Sequence, residues 1–337
     1  MARTLKVAIA GLGPVGQAVA RAVLQTPALK LVAAADPAPL HAGKDLGAVL
    51  GLPRKLRIKV EGNPDRFFKK VRADVAFVCT SSLLKDVKPQ IAALVSRRIN
   101  VLTTCEELAW PVPARAAAFK DLDRLARRKK VSVLATGVNP GFAMDTLPIV
   151  LTGICQDVQK VHVDRIQDAR IRRLPFQKKI GATLTPKQFA ELVKAKTVRH
   201  VGLAESVSMM ADALGFKVDR ISDEIQPKIA AEQVKSEFLT VEPGQVCGLI
   251  QDGVGYRKGE PVITLHMEAY LGAPETYDEV RIEGTPALRV RAIGGYHGDI
   301  ATASLVVNSL SKVIDAPAGL HTMRTLPIPS FFRGTVA

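Results

Sequence analysis

The chain has 337 residues, 47% of them hydrophobic and 5% aromatic, with a formal net charge of +15. That length suits two domains, each able to bury its own core, and no apolar run approaches the roughly 18 uninterrupted residues of a membrane span. The basic clusters at 54–72, 127–130 and 165–179 are interleaved with acids and carry no recognition motif, so they read as solvated surface and exclude a nucleic-acid binder.

The opening "TLKVAIAGLG" is a short apolar run that passes straight into a glycine motif, which reads as a first strand rather than a signal peptide and places the protein in the cytoplasm. "PVGQAVARAVLQTP" follows with helical periodicity through Val15, Val19 and Val23, and "LKLVAAADP" is a second strand. Then come strand 73–81, helix "VKPQIAALVSRR", strand "NVLTTCE", helix "ARAAAFKDLDRLARRKK" and strand 131–137. Nearly continuous apolar strands alternating with helices predict a Rossmann-type, doubly wound parallel sheet of the α/β class. After about residue 150 longer strand-like runs appear, "VQKVHVDRI", "VDRISDEIQPKIA", "KGEPVITLHMEAYL" and "YDEVRIEGTPALRVRAIGG", with helices at "TPKQFAELVKA" and "AESVSMMADALGF". They predict a second, α+β domain with a mostly antiparallel sheet, before a long helix over 298–314. The expected division is 1–150 for the dinucleotide, 151–297 for the substrate, and 298–337 as a helix and tail packing back on the first domain. Cys79, Cys105, Cys155 and Cys247 lie far apart without a CxxC pair, so neither a disulfide framework nor a metal site is expected.

Gly11-Leu12-Gly13-Pro14-Val15-Gly16 fits GxGxxG in the required context, after a strand and opening a helix. Gly11 makes the tight turn, Gly13 admits a pyrophosphate, Gly16 packs helix on strand, and the helix start at Pro14 and Val15 offers N–H groups to phosphate. Asp36, 20 residues after Gly16 at the end of the second strand, can accept a hydrogen bond from an adenine-ribose 2′-hydroxyl. It would repel a 2′-phosphate, which favours NAD, although Lys44 nearby softens that preference and leaves NADP open. Cys79, Thr80 and Ser81 end the next strand, where contacts to the cofactor are expected.

The strand "NVLTTCEE" ends on two adjacent carboxylates, Glu106 and Glu107. Its carboxyl end faces the side on which open α/β sheets bind ligands. A carboxylate screened from water there can exchange protons near neutral pH. Neighbouring residues at a strand end point in opposite directions, so one glutamate can cap the next segment while the other meets substrate. By residue type alone the two roles stay open. Asn139 follows the next strand on an Asn-Pro turn, and Phe142 and Met144 would line a pocket or fill the core. Arg170, Arg172 and Arg173, with Lys178 and Lys179, read as a solvated edge after a strand. The alternative is recognition of a substrate carboxylate, for which Arg172 is the candidate. Asp299 is the expected N-cap of the last helix, and His297 before it is a candidate polar contact in the active site.

"NVLTTCEELAWP", "GVNPGFAMDTLPIVLTGIC" (137–155), "RRLPFQKKIGA" (172–182) and "GGYHGDIATASLVVNSL" (294–310) resemble the 2,4-diaminopentanoate dehydrogenase family, to which the native amine dehydrogenases also belong. The resemblance runs nearly the whole chain. It implies an NAD(P)-dependent dehydrogenase that interconverts an amine or diamino acid with a ketone and ammonia, working as a homodimer through the sheet of the second domain. It also implies a glutamate of the "CEE" segment as acid/base. That role falls to Glu107 first and Glu106 second, because related oxidoreductases with a Glu-Lys-Pro motif place the catalytic lysine second. The double-histidine and lysine signature of dihydrodipicolinate reductase is absent. A different C=N or C=O reductase and a dinucleotide-binding regulator without turnover are the rival readings.

Overall fold

The computed structural model describes residues 4–332. The chain forms two compact units: the first runs up to Phe142 and resumes at His297, and the second spans Ala143–Tyr296.

The first unit begins β1 (Leu5–Ala10), α1 (Pro14–Leu24), β2 (Leu29–Ala35), α2 (Leu46–Val49), α3 (Pro64–Lys70), β3 (Val75–Val78), α4 (Leu84–Ser96), β4 (Asn100–Thr103), α5 (Ala116–Lys129) and β5 (Ser132–Ala135). Every residue of β3 and of β5 is buried, which is why these strands carry no polar alternation. Proline at the first position of α1 fits a site whose N–H has no intrahelical partner, and Val19, Ala20 and Val23 bury its inner face. Helix α4 starts at Leu84, three residues before the expected start, with Pro89 inside it. The reason for the early start lies outside the helix, in a side chain after β4.

The second unit holds α6 (Thr146–Thr152), β6 (Asp157–Asp168), α7 (Leu174–Lys179), α8 (Pro186–Lys194), α9 (Leu203–Leu214), β7 (Arg220–Ile229), β8 (Val234–Lys235), β9 (Thr240–Val241), β10 (Val246–Arg257), β11 (Glu260–Tyr270), β12 (Tyr277–Thr285) and β13 (Leu288–Ile293). Six of these strands make one sheet in the order β13-β12-β6-β11-β10-β7. Only β11 with β6 is parallel, so the sheet is mixed with an antiparallel majority. Along β11 buried Ile263, Leu265, Met267 and Ala269 alternate with half-buried Thr264, His266, Glu268 and Tyr270, a period of two. Helix α9 packs on β10 and β11, burying Leu203, Val207 and Met210.

The chain then returns to the first unit as α10 (Gly298–Asn308), α11 (Leu310–Ile314) and β14 (Gly319–His321). The single helix expected over 298–314 is divided at Ser309. Its N-cap is His297, whose side chain accepts from the Ile300 amide, and not Asp299; the acid lies in the first turn, where the helix dipole also favours it. Helix α10 packs along α1, and β14 adds in parallel to β5. The first unit's sheet is wholly parallel in the order β14-β5-β4-β3-β1-β2, with its direction of winding reversing between β1 and β3.

Candidate active site

The carboxyl ends of β1, β2, β3, β4 and β5 lie side by side in this sheet. They bring the glycine loop, Asp36, the Cys79–Ser81 segment, the two glutamates and Asn139 to one rim. Gly11 has φ +88°, and a Cβ there would come within 2.5 Å of the Cys79 carbonyl oxygen. A Cβ on Gly16 would lie 1.9 Å from the Gly11 oxygen, whereas one on Gly13 would meet nothing within 4 Å. Two glycines are thus required by the protein itself. The third keeps a space open over the start of α1, where the first-turn N–H groups of Val15 and Gly16 have no intrahelical acceptor. These residues fit a dinucleotide pyrophosphate.

Asp36 is buried and braces the same loop: its Oδ2 accepts from the Leu12 amide at 2.6 Å and its Oδ1 from the Ala38 amide at 2.9 Å. Thr80 Oγ1 donates to Gln90 Oε1 and Ser81 Oγ to Asp86 Oδ2, so both hydroxyls tie the turn after β3 to helix α4. Burial pushes the Cys79 thiol up to about 12, which keeps it a thiol and not a nucleophile. The buried Cys105 thiol is likewise pushed up to about 12, first by burial and further by the neighbouring glutamates.

After β4 the chain enters a tight 3₁₀ turn, Glu106–Leu108, anchored by Thr103, whose hydroxyl donates to the Val78 carbonyl and accepts from the Cys105 amide. The two glutamates then part. Glu107 Oε2 accepts the amide hydrogen of Leu84 at 2.8 Å, at the first residue of α4, and its Oε1 faces the Arg115 guanidinium at 3.4 Å. Its own amide donates to the Ser82 carbonyl. Glu107 is therefore a helix cap reaching in from the neighbouring strand, which accounts for the early start of α4. Glu106 is half-buried, with Oε2 fully enclosed. Asn139 is buried, on a loop with a cis Asn139–Pro140 bond, and α10 supports that loop through the Thr302 hydroxyl, which accepts from the Val138 amide.

The chain is similar to known proteins over nearly its whole length. The profile described as the 2,4-diaminopentanoate dehydrogenase C-terminal domain matches residues 142–337, and that of the dihydrodipicolinate reductase N-terminus matches residues 5–100. A 2,4-diaminopentanoate dehydrogenase from Acetoanaerobium sticklandii is 32% identical over 98% of this chain and 95% of its own length. The chain belongs to the 2,4-diaminopentanoate dehydrogenase family. An amine dehydrogenase from Streptomyces virginiae is 23% identical over 94% of this chain and 95% of its own. The solved structure of an amine dehydrogenase from Mycobacterium smegmatis shares the fold, with a TM-score of 0.86 over 97% of both chains at 23% identity. As a member of this family the chain is an NAD(P)-dependent oxidoreductase acting on CH–NH₂ donors.

In this dehydrogenase the remaining candidates fall in different places. Phe142 is half-buried at the end of a stretch of the first unit, and His297 is exposed at the start of α10. Met144 is buried in the second unit. Arg172 departs from the expected solvated edge. It is 6% exposed, donates to Gln167 Oε1 and stacks on the Phe176 ring with its guanidinium carbon 4.1 Å from the ring centre, whereas Arg170 stays exposed beside Asp168. The expected strand and loop here are a 3₁₀ turn, Ala169–Ile171, and helix α7, held by Gln177, whose amide donates to the carbonyls of Ala169 and Arg172. Three contributors escaped sequence reasoning: Arg115, the Leu84 amide and the Thr302 hydroxyl. A basic residue eight positions past Glu107 and a threonine in a distant helix carry no signal of their own.

Proposed function

We propose that this family member catalyses the reversible oxidative deamination of a small amine or diamino acid to a ketone and ammonia, with Glu106 as the acid/base. The observation that carries the choice is the engagement of both Glu107 oxygens, one by the Leu84 amide and one by Arg115. That commitment suits a scaffold residue and leaves the chemistry to its neighbour, reversing the order of preference drawn from residue position.

In the amination direction ammonia must be neutral to attack a carbonyl. The Glu106 carboxylate takes a proton from ammonium, stabilises the substrate iminium as an anion, and returns a proton to the departing hydroxyl of the carbinolamine. Bound NAD(P)H supplies the hydride, and NAD(P)⁺ accepts one in the reverse direction. The open space at Gly13 and the start of α1 at Pro14, Val15 and Gly16 would hold the pyrophosphate, Asp36 the adenine ribose, and Cys79, Thr80 and Ser81 the neighbouring turn. Asn139, Phe142, Met144 and His297 are assigned to substrate contact, and Arg172 to a substrate carboxylate. Residues 1–150 would carry the cofactor, 151–297 the substrate and dimer contacts, and 298–337 the return to the first domain. No helix among the described residues is long and apolar enough to cross a membrane. Cytoplasmic location and a homodimer through the second unit's sheet complete the reading.

The test follows NADH and NADPH consumption with ammonium and a panel of small ketones, and the reverse reaction on 2,4-diaminopentanoate. Ammonium-dependent turnover is expected; its absence with every ketone, together with no deamination, overturns the assignment. Turnover of ketones without the diamino acid would mark a simple amine dehydrogenase.

A further inference from the structure

The carboxylate of Asp36 has a third neighbour besides its two amides. His41 Nδ1 lies 3.3 Å from Asp36 Oδ1, with the two side chains 13% and 11% exposed. Among the described residues this imidazole is the one side chain within ion-pair distance of Asp36, and its Nδ1 is enclosed without a hydrogen-bond partner. Its position is set by backbone. The His41 amide donates to the Ala38 carbonyl at 2.8 Å, the Lys44 amide to the His41 carbonyl, and the Gly43 amide to the Val60 carbonyl at 2.9 Å. Ala38 is the residue whose own amide binds Asp36, so one turn fixes both carboxylate and imidazole.

The surrounding acids are otherwise occupied. Asp45 Oδ1 accepts from the amides of Gly47 and Leu56, while Glu61 accepts from the Asn63 amide and faces Arg66. Asp36 is therefore the anion that a phosphate on the adenine ribose would meet, and residue 41 is the position from which a side chain can offset that charge.

We propose that His41 is a specificity residue for the dinucleotide, setting how strongly Asp36 rejects a ribose 2′-phosphate. This rests on the reading of Asp36 as the ribose-facing carboxylate. An imidazole in contact with Asp36 can share its charge, so NADP is disfavoured without being excluded. A neutral, non-basic side chain at 41 restores the full repulsion, and a permanent cation reverses it. Lys44, on the same turn, is engaged there only through its backbone.

The experiment measures the dissociation constants of NADH and NADPH by nicotinamide fluorescence on the full chain and on His41→Gln, His41→Arg and Asp36→Asn. His41→Lys serves in place of the arginine if that variant does not fold. The NADPH-to-NADH ratio of the constants cancels any uniform loss of stability. It is expected to fall by about tenfold in His41→Arg and to rise by about threefold in His41→Gln, the scale of one contact charge near a surface. A ratio within about twofold of the parent in the residue-41 variants, while Asp36→Asn shifts it, overturns the proposal and leaves the ribose reading standing. An unchanged ratio in Asp36→Asn removes the ribose reading and the proposal with it.

Discussion

The carboxylate of Glu107 accepts the amide hydrogen of Leu84, so the second of two adjacent glutamates closes the start of a helix 23 positions earlier in the chain. Glu107→Ala is expected to lower stability by about 1–2 kcal/mol, the usual worth of a lost cap with a charged acceptor. It should leave turnover within about tenfold of the parent. Glu106→Gln is expected to cost about 10²–10⁴-fold in kcat with NADH binding retained, the range of a lost general acid/base. Thermal unfolding and steady-state kinetics on both variants separate the roles; the reverse pattern would return the chemistry to Glu107.

The glycine loop predicts a dissociation between folding and binding. Gly16→Ala forces a Cβ to 1.9 Å from the Gly11 oxygen and should destabilise the first unit, lowering the melting temperature by several degrees. Gly13→Ala meets no protein atom and should melt with the parent, yet weaken NADH by about tenfold or more. Calorimetry beside cofactor titration checks both arms.

Two histidines of the second unit should respond to pH in opposite senses. The hydrogen bond to Asp252, with Glu268 on the other nitrogen, raises His266 above its ordinary 6.5, so its contribution is fully present below that value and lost as pH rises through the folded one. Burial, with Lys179 and Arg165 nearby, pushes His200 down to about 3. Its neutral form is the folded one, so the stability it confers is complete above about 6.5 and lost as pH falls from there toward 3. Denaturant unfolding of His266→Gln and His200→Asn against the parent should give differences that shrink at high pH for the first and at low pH for the second.

Arg165 and Asp278 form an ion pair with both side chains 3% exposed, and Asp278 also accepts from the Tyr296 amide. Arg165→Met strands a buried carboxylate and should cost about 3–5 kcal/mol at neutral pH. Burial already raises Asp278, so the deficit should narrow on acidification as the carboxyl takes up a proton. Unfolding free energies of parent and variant across pH 5–8 measure this, and a constant deficit would mean the loss is packing alone.

The first unit was largely legible because parallel strands and a glycine loop leave strong local patterns. Two of the loop's glycines, Gly11 and Gly16, have a steric reason within the structure, and Gly13 leaves open space. Strand β10 was missed for the opposite cause: Gly248, Gly253 and Gly255 break the apolar run that would announce it. A Cβ at Gly253 would lie 2.9 Å from Leu203 and one at Gly255 2.8 Å from Val207, so the gaps in the pattern are where α9 seats on the strand. The Arg172 segment misled because its burial depends on Gln177 and the Phe176 ring, partners that no periodicity reports. The proposed reversal of the two glutamates rests on a contact that position in the chain does not report, since the helix capped by Glu107 precedes it.

The parallel sheet takes its last strand from Gly319–His321, and the Ser132 hydroxyl at its seam donates to the carbonyl of Ala316, 184 positions away. A ribosome adding roughly 5–20 residues per second needs about 10–40 s to travel that distance. Throughout that interval β5 lacks its neighbour on that edge, while the intervening unit emerges. Birth order and architecture therefore run against each other: the part made first is finished last, and a nascent chain stalled within this stretch is the form most exposed to aggregation.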